Sequence, residues 1–176
     1  MPNQLLDDRG VFLLSQIGYH VSRRFTMRLA PLGLDPAHFG ILSHLAAADG
    51  RSQQELADLL SVHRNAMVGL VDELEERGLV QRRPHPADRR AHAIHLSDRA
   101  RTLLEAAEVE ANSIEDEILA PLGEADRTQL KRLLRRVSTH AGLPPGVHPG
   151  LQRRQRTART TSAEPADPTG SDRPTQ

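Results

Sequence analysis

Apolar residues recur along most of this chain with the spacing of helices, interrupted once by the spacing of strands. The sharpest run lies at residues 63–77. Met67, Leu70, Val71 and Leu74 fall at positions 0, 3, 4 and 7 of one helical face. Arg77 and Gly78 then place a cation in the last turn and a residue able to adopt the left-handed stop. The opposite face carries Arg64, Asn65, Val68, Gly69 and Asp72, while Glu73, Glu75 and Glu76 follow further along. Only the first turns of this helix therefore suit a polyanion. The pattern then changes period. Residues 79–83 and 90–96 read as two short strands, the second alternating His92, Ile94 and Leu96 with Ala91, Ala93 and His95. Between them the loop holds Pro84 and Pro86, which fix backbone angles and stiffen a basic tip. Arg82, Arg83, Arg89 and Arg90 surround Asp88 there, an acid that can hydrogen-bond the backbone two residues on or hold Arg90 by a charge-assisted pair.

The flanking segments are helical. Residues 5–30 carry a stripe of Leu14, Ile17, Val21 and Phe25. Pro31 and Pro36 bound a connector, and Asp35 reads as an N-cap before Pro36 at the first helical position. The helix beyond runs to about 48, burying Phe39, Leu42 and Leu45 or Ala46. Ser52 and Glu55 form a capping box opening a short helix to residue 60, with Leu56, Leu59 and Leu60 inward. Ser52 is first a cap; a phosphate contact from the same helix start is the alternative. Ser97 caps a helix running to about 120, and a last helix spans about 124–140. That helix has Leu130, Leu133, Leu134 and Val137 on one face and Lys131, Arg132, Arg135 and Arg136 on the other. From residue 144 prolines punctuate a stretch without apolar periodicity, which reads as a disordered tail. The fold class is thus mainly α with a small β-hairpin wing: a winged helix-turn-helix at about 36–96 plus long helices at about 5–30 and 97–140.

Composition narrows the function classes. The 176 residues include 23 Lys+Arg and 23 Asp+Glu, so net charge does not favour nucleic acid and the local clustering in the wing carries that reading. Cysteine is absent, which removes disulfides, cysteinate zinc and a thiol switch. The nine histidines form no evident ligand set, so no metal is expected. No catalytic or phosphate-loop motif is present, and an enzyme is not expected. Neither a leader pattern nor a long apolar run occurs, giving a cytoplasmic expectation with no membrane partner.

Leu-x-Val-x-Arg at 60–64, Leu-Val-Asp-x-Leu-Glu-x-Arg-Gly-Leu-Val at 70–80, and Pro-x-Asp-Arg-Arg followed by Leu-Ser at 86–97 resemble the MarR family of winged-helix regulators. The likeness is strongest over about 56–96 and covers most of residues 1–143. His85 stands where the family often has Asp, and Val68 and Gly69 stand where polar or basic residues often read bases. The resemblance implies a sequence-specific, ligand-responsive repressor that binds a pseudo-palindromic double-stranded operator as a homodimer, through its interlocked terminal helices. Arg64 and Asn65 would read bases beside Val68, Arg90 oriented by Asp88 would enter the minor groove, and Arg89 would lie on phosphate or beside Arg90 in the groove. No cofactor is implied. A small aromatic or carboxylate effector would enter a cleft between the dimer helices and the DNA-binding lobe, with Tyr19, His20 and Arg23 as its polar neighbours. The competing reading is a winged-helix protein-interaction module without operator binding.

Overall fold

The computed structural model describes residues 6, 8–86 and 91–148. Its described elements are α1 (Gly10–Leu29), a 3-10 turn (Ala30–Leu32), α2 (Pro36–Ala47), β1 (Arg51–Ser52), α3 (Gln53–Leu59), α4 (Arg64–Glu76), β2 (Val80–Pro84), β3 (His92–Leu96), α5 (Asp98–Leu119) and α6 (Glu124–His140). α1 begins later than its apolar content suggests, because Arg9 is extended (φ −96°, ψ 107°) and the helix proper starts at Gly10. No described helix is long and apolar enough to cross a membrane.

Local signals place most boundaries. Asp35 Oδ1 accepts from the backbone N–H of Ala37 and of His38, both at 2.9 Å, fixing the start of α2. Ser52 and Glu55 satisfy each other's backbone donors at the start of α3. Gly78 takes the left-handed conformation (φ 66°) that ends α4 and turns the chain into β2, a conformation strained for any side chain with a Cβ.

The core lies where the inner faces of α2, α3 and α4 meet the sheet and the start of α5. Met67, Leu70, Val71 and Leu74 are all buried, as their spacing requires. Ile41, Leu42 and Leu45 point inward from α2, whereas Phe39 is only partly buried and Ala46 is exposed. Phe39 meets Phe25 edge to face with ring centroids 5.2 Å apart.

The sheet has three strands, not two. β2 and β3 pair antiparallel from Val80↔Leu96 to Pro84↔His92, and β1 adds to the other side of β3 with Arg51↔Ile94 and Ser52↔Ala93. Two residues are too few to show an alternating pattern. The loop before β1 is held by Asp49, whose carboxylate accepts from the Leu96 backbone N–H at 2.9 Å and lies 3.1 Å from His95 Nδ1. Burial pushes the Asp49 carboxyl up, but the Leu96 N–H, His95 and the nearby Arg101 guanidinium outweigh it and hold the group below the ordinary carboxylate range. A carboxylate with a lowered folded pKa stabilises the fold above its unfolded value, and the contribution disappears as pH falls through the folded value. Asp49→Asn is therefore expected to lower Tm at pH 7 by a few degrees, on the order of 1 kcal/mol after allowing for partial exposure. The gap to the parent should narrow below about pH 4. A gap of the same size at pH 7 and pH 3 in paired thermal melts would contradict this.

The chain does not leave the fold at residue 144. It turns back after α6, and Val147, 9% exposed, joins the core cluster, while Gly146 O lies 3.3 Å from His44 Nε2 on α2. The expected tail boundary is thus too early, and the remainder of that expected tail, 149–176, lies outside the described residues. Burying a valine contributes about 1.5–3 kcal/mol when complete. Truncation after residue 143 should lower Tm by several degrees, and truncation after residue 148 should leave it nearly unchanged. Equal melting temperatures for the two shortened chains would refute the Val147 anchor.

Two helices carry apolar faces that the single chain does not cover. Ile17 on α1 and Val137 on α6 are each 53% exposed, and no residue of α6 is buried. α1 is held to α5 by charge instead. Arg28 reaches Glu110 at 2.9 Å and also pairs with Glu117, and Arg24 pairs with Glu117 as well.

Candidate nucleic-acid interface

α3 and α4 are joined by a four-residue link in which Ser61 adopts φ 52°, reversing the chain without a glycine. His63 caps α4, its Nδ1 accepting from the Asn65 N–H at 3.2 Å. This cap has no counterpart in the sequence reading, since histidine is an uncommon cap. The geometry leaves Arg64, Asn65, Val68, Gly69 and Asp72 on the exposed face of α4, opposite its buried stripe. Arg64 and Asn65 thus stand in the first turn, at the positive end of the helix dipole, which also favours an anion.

Of the acids further along α4, Asp72, Glu73 and Glu75 meet partners on other elements. Glu73 Oε2 lies 3.0 Å from Nε2 of His38, a ring only 6% exposed that also lies 3.3 Å from Asp35. Glu75 accepts from the Arg82 backbone N–H at 3.0 Å and pairs with the Arg82 guanidinium, which also reaches Asp72. Arg82 is therefore not part of the basic tip, as its sequence neighbours suggest. It ties β2 to α4 and fixes the angle between wing and helix. Its partners lie seven and ten positions earlier, a spacing that no single-element periodicity reveals.

Ser52 stands at the start of α3 with its hydroxyl oxygen accepting from the Glu55 N–H at 3.1 Å. The cap is formed as the capping box requires, and the Ser52 hydroxyl also bonds the Glu55 carboxylate. Its partner Glu55 is held below the ordinary carboxylate range, first by the Ser52 backbone N–H, then by its hydroxyl. In the wing, His85 N–H donates to Ala91 O at 3.1 Å and Arg83 is exposed beside Gln81. Asp88, Arg89 and Arg90 lie outside the described residues.

A cavity of about 820 Å³ lies between α1, the N-terminal half of α2 and α6, behind this interface. Leu14, Ile17, Val21 and Phe25 line it, and of the four Phe25 also packs against the core. Its polar groups are Ser22, Thr26, Asp35, Ser43, His44 and His148, and none of the described lining residues is lysine or arginine. Tyr19, His20 and Arg23 do not line it. They sit on the exposed surface of α1, Tyr19 being 74% accessible. A helical turn separates faces by 100° per residue, and the sequence alone could not tell which face meets the cleft. Among the described residues no group of histidine and carboxylate side chains is arranged to hold a metal ion.

Comparisons with known proteins agree with this architecture. A family model described as MarR family matches residues 32–91. A putative transcriptional regulatory protein for the hcr operon of Thauera aromatica is 29% identical over 133 residues, covering 71% of this chain and 80% of the relative. The transcriptional repressor CouR bound to a 23-mer DNA duplex is 34% identical with TM-score 0.68, covering 76% of this chain and 94% of that one. CouR from Rhodococcus jostii RHA1 has also been solved bound to p-coumaroyl-CoA, matching at 30% identity and TM-score 0.65 over the same shares. A MarR-family transcriptional regulator from Rhodococcus sp. RHA1 matches at 30% identity and TM-score 0.65, again over 76% of this chain and 94% of that one. With α3, α4 and the three-stranded wing arranged as described, this chain belongs to the MarR family of winged-helix transcriptional regulators.

Proposed function

We propose that two copies of this chain bind a pseudo-palindromic operator and repress transcription, and that a small aromatic compound relieves the repression. The observation that carries the reading is the exposed first turn of α4, with Arg64 and Asn65 opposite a buried stripe, Glu73 beside His38, and Asp72 and Glu75 paired with Arg82. In a dimer the two α4 helices would enter successive major grooves roughly 34 Å apart. Arg64 and Asn65 would meet base edges and Val68 would add an apolar contact such as a thymine methyl accepts. Arg90, oriented by Asp88, would reach the minor groove, with Arg89 on phosphate. The uncovered faces of α1 and α6 support dimerisation through those helices. CouR, solved on a DNA duplex, supports the operator reading. The protein-interaction alternative has no observation in its favour.

The cavity supports the effector reading, as does a relative solved with p-coumaroyl-CoA. Ser22, Thr26, Ser43 and His44 would orient a bound ring, in place of Tyr19, His20 and Arg23. Effector and operator must weaken each other by the same factor, typically about 5- to 150-fold. The reading is tested by selecting binders from a randomised duplex library, then adding hydroxycinnamates and their thioesters to the selected complex. An inverted repeat with half-sites about one helical turn apart, released by at least one compound that also raises Tm, is expected. Recovery of no consensus would overturn operator binding. A consensus that every stabilising compound leaves bound would overturn effector control alone.

A further inference from the structure

Three glycines stand inside described helices beyond the first turn: Gly18 on α1, Gly40 on α2 and Gly69 on α4. A glycine in such a position costs stability relative to alanine, through the freedom it loses and the backbone it exposes. Gly18 and Gly40 line the large cavity, so a side chain at either would take up its space. Gly69 does not line it. It is exposed, and a Cβ built on it would meet nothing within 4 Å. Nor does it take the left-handed conformation that Gly33, Gly50 and Gly78 adopt. Nothing within the fold calls for a glycine at this position.

Its place on the helix does. At about 100° per residue, Gly69 falls on the same exposed arc of α4 as Arg64, Asn65, Val68 and Asp72. Asn65 stands one turn before it and Asp72 one turn after it. Helical side chains lean toward the N-terminus, so one at 69 would lie over the turn that carries Asn65. The bare Cα leaves a hollow there, bordered on the same arc by the exposed Val68. An apolar side chain beside a gap about one methyl deep is a shape that a base edge can fill. In the major groove thymine alone presents a methyl group, whereas the other bases present donors and acceptors that a glycine has no side chain to meet.

We propose that Gly69 is a specificity-determining residue: its bare Cα admits the C5-methyl of one thymine per half-site, against Val68, and so lets Arg64 and Asn65 reach the neighbouring base edges. The inference rests on the operator reading and deepens it, by naming a base and the residue that selects it. The helix forgoes stability at 69, and close approach to DNA is what the gap allows.

The full-length chain and its Gly69→Ala variant are titrated against the inverted repeat selected by the parent. Both are also titrated against the same repeat with each thymine replaced in turn by deoxyuridine, which lacks only the methyl. Gly69→Ala should raise Tm by about 2–4 °C. It should bind the thymine repeat about tenfold or more weakly. For the parent, deoxyuridine at one symmetry-related pair of positions should weaken binding about fourfold per half-site, or about fifteenfold with both changed. In Gly69→Ala the order should reverse, the deoxyuridine duplex binding more tightly than the thymine duplex, because the alanine methyl occupies the place of the base methyl. Parental affinity of Gly69→Ala for the thymine repeat, an equal loss on both duplexes, or a lowered Tm would each overturn the inference and leave operator binding standing. Recovery of no consensus by the parent would overturn operator binding, and the inference with it.

Discussion

Arg90→Ala is expected to abolish specific duplex binding while leaving the protein folded. The β2–β3 pairing from Val80↔Leu96 to Pro84↔His92 is complete without the loop tip, and the core lies on the other side of the sheet register. Folding should therefore be indifferent to the substitution. A narrow minor groove concentrates negative potential, and an inserted guanidinium uses it. Losing such a contact costs about 1–3 kcal/mol per half-site. Two half-sites double it, which amounts to roughly two to four decades of affinity. Asp88→Ala should do less, because it loosens Arg90 without removing it. Arg82→Ala is the informative contrast. Arg82 is bound to Asp72 and Glu75, so its loss should lower Tm and free two acids on α4 near the DNA. The measurement is anisotropy of a labelled operator at fixed salt, with circular dichroism as the folding control. Parental affinity for Arg90→Ala alongside a loss for Arg64→Ala would make the wing structural and the two-groove arrangement wrong.

Leu133→Asp combined with Val137→Asp should convert the dimer to a monomer that keeps its helical content. Both side chains are exposed in the single chain, Leu133 at 42%, so a monomer tolerates the charges. A two-fold interface buries each change twice, and an uncompensated buried charge costs several kcal/mol, about 3–5 for a broken buried pair. Operator affinity should then fall by about two or more decades, because the second half-site no longer binds intramolecularly. Sedimentation at micromolar concentration reads the first effect and operator titration the second. A variant that stays dimeric would place the interface on other surfaces.

Much of this was legible because the signals are local. Met67, Leu70, Val71 and Leu74 declare a buried face by spacing alone, and Ser52 with Glu55, like Asp35 with Pro36, declares a helix start within three residues. Pairings across the chain leave no such trace. Asp49 meets Leu96 and His95 across 46 or 47 positions, and His44 meets Gly146 across 102. The Arg82 cluster joins a strand to the preceding helix, so Arg82 is engaged with α4 while its sequence neighbour Arg83 stays exposed. The stripe of Leu14, Ile17, Val21 and Phe25 was visible, but periodicity does not distinguish a face that packs from one that bounds a cavity. For the same reason Tyr19, His20 and Arg23 could be named as polar residues of α1 without their direction being known. Val147 is a lone apolar residue among prolines and glycines, and only its contacts show that it anchors the chain end.

In the proposed complex a dimer of this chain recognises a two-fold duplex through α4. Its most direct test is a titration of the selected inverted repeat against a scrambled duplex of equal length, read by anisotropy at two salt concentrations, with the mass of the complex measured alongside. Two chains per duplex are expected, with a preference for the repeat of about three decades or more at physiological salt. The preference should fall sharply in Arg64→Ala. Equal affinity for both duplexes, or a single chain per site with Arg64→Ala indistinguishable from the parent, would contradict it.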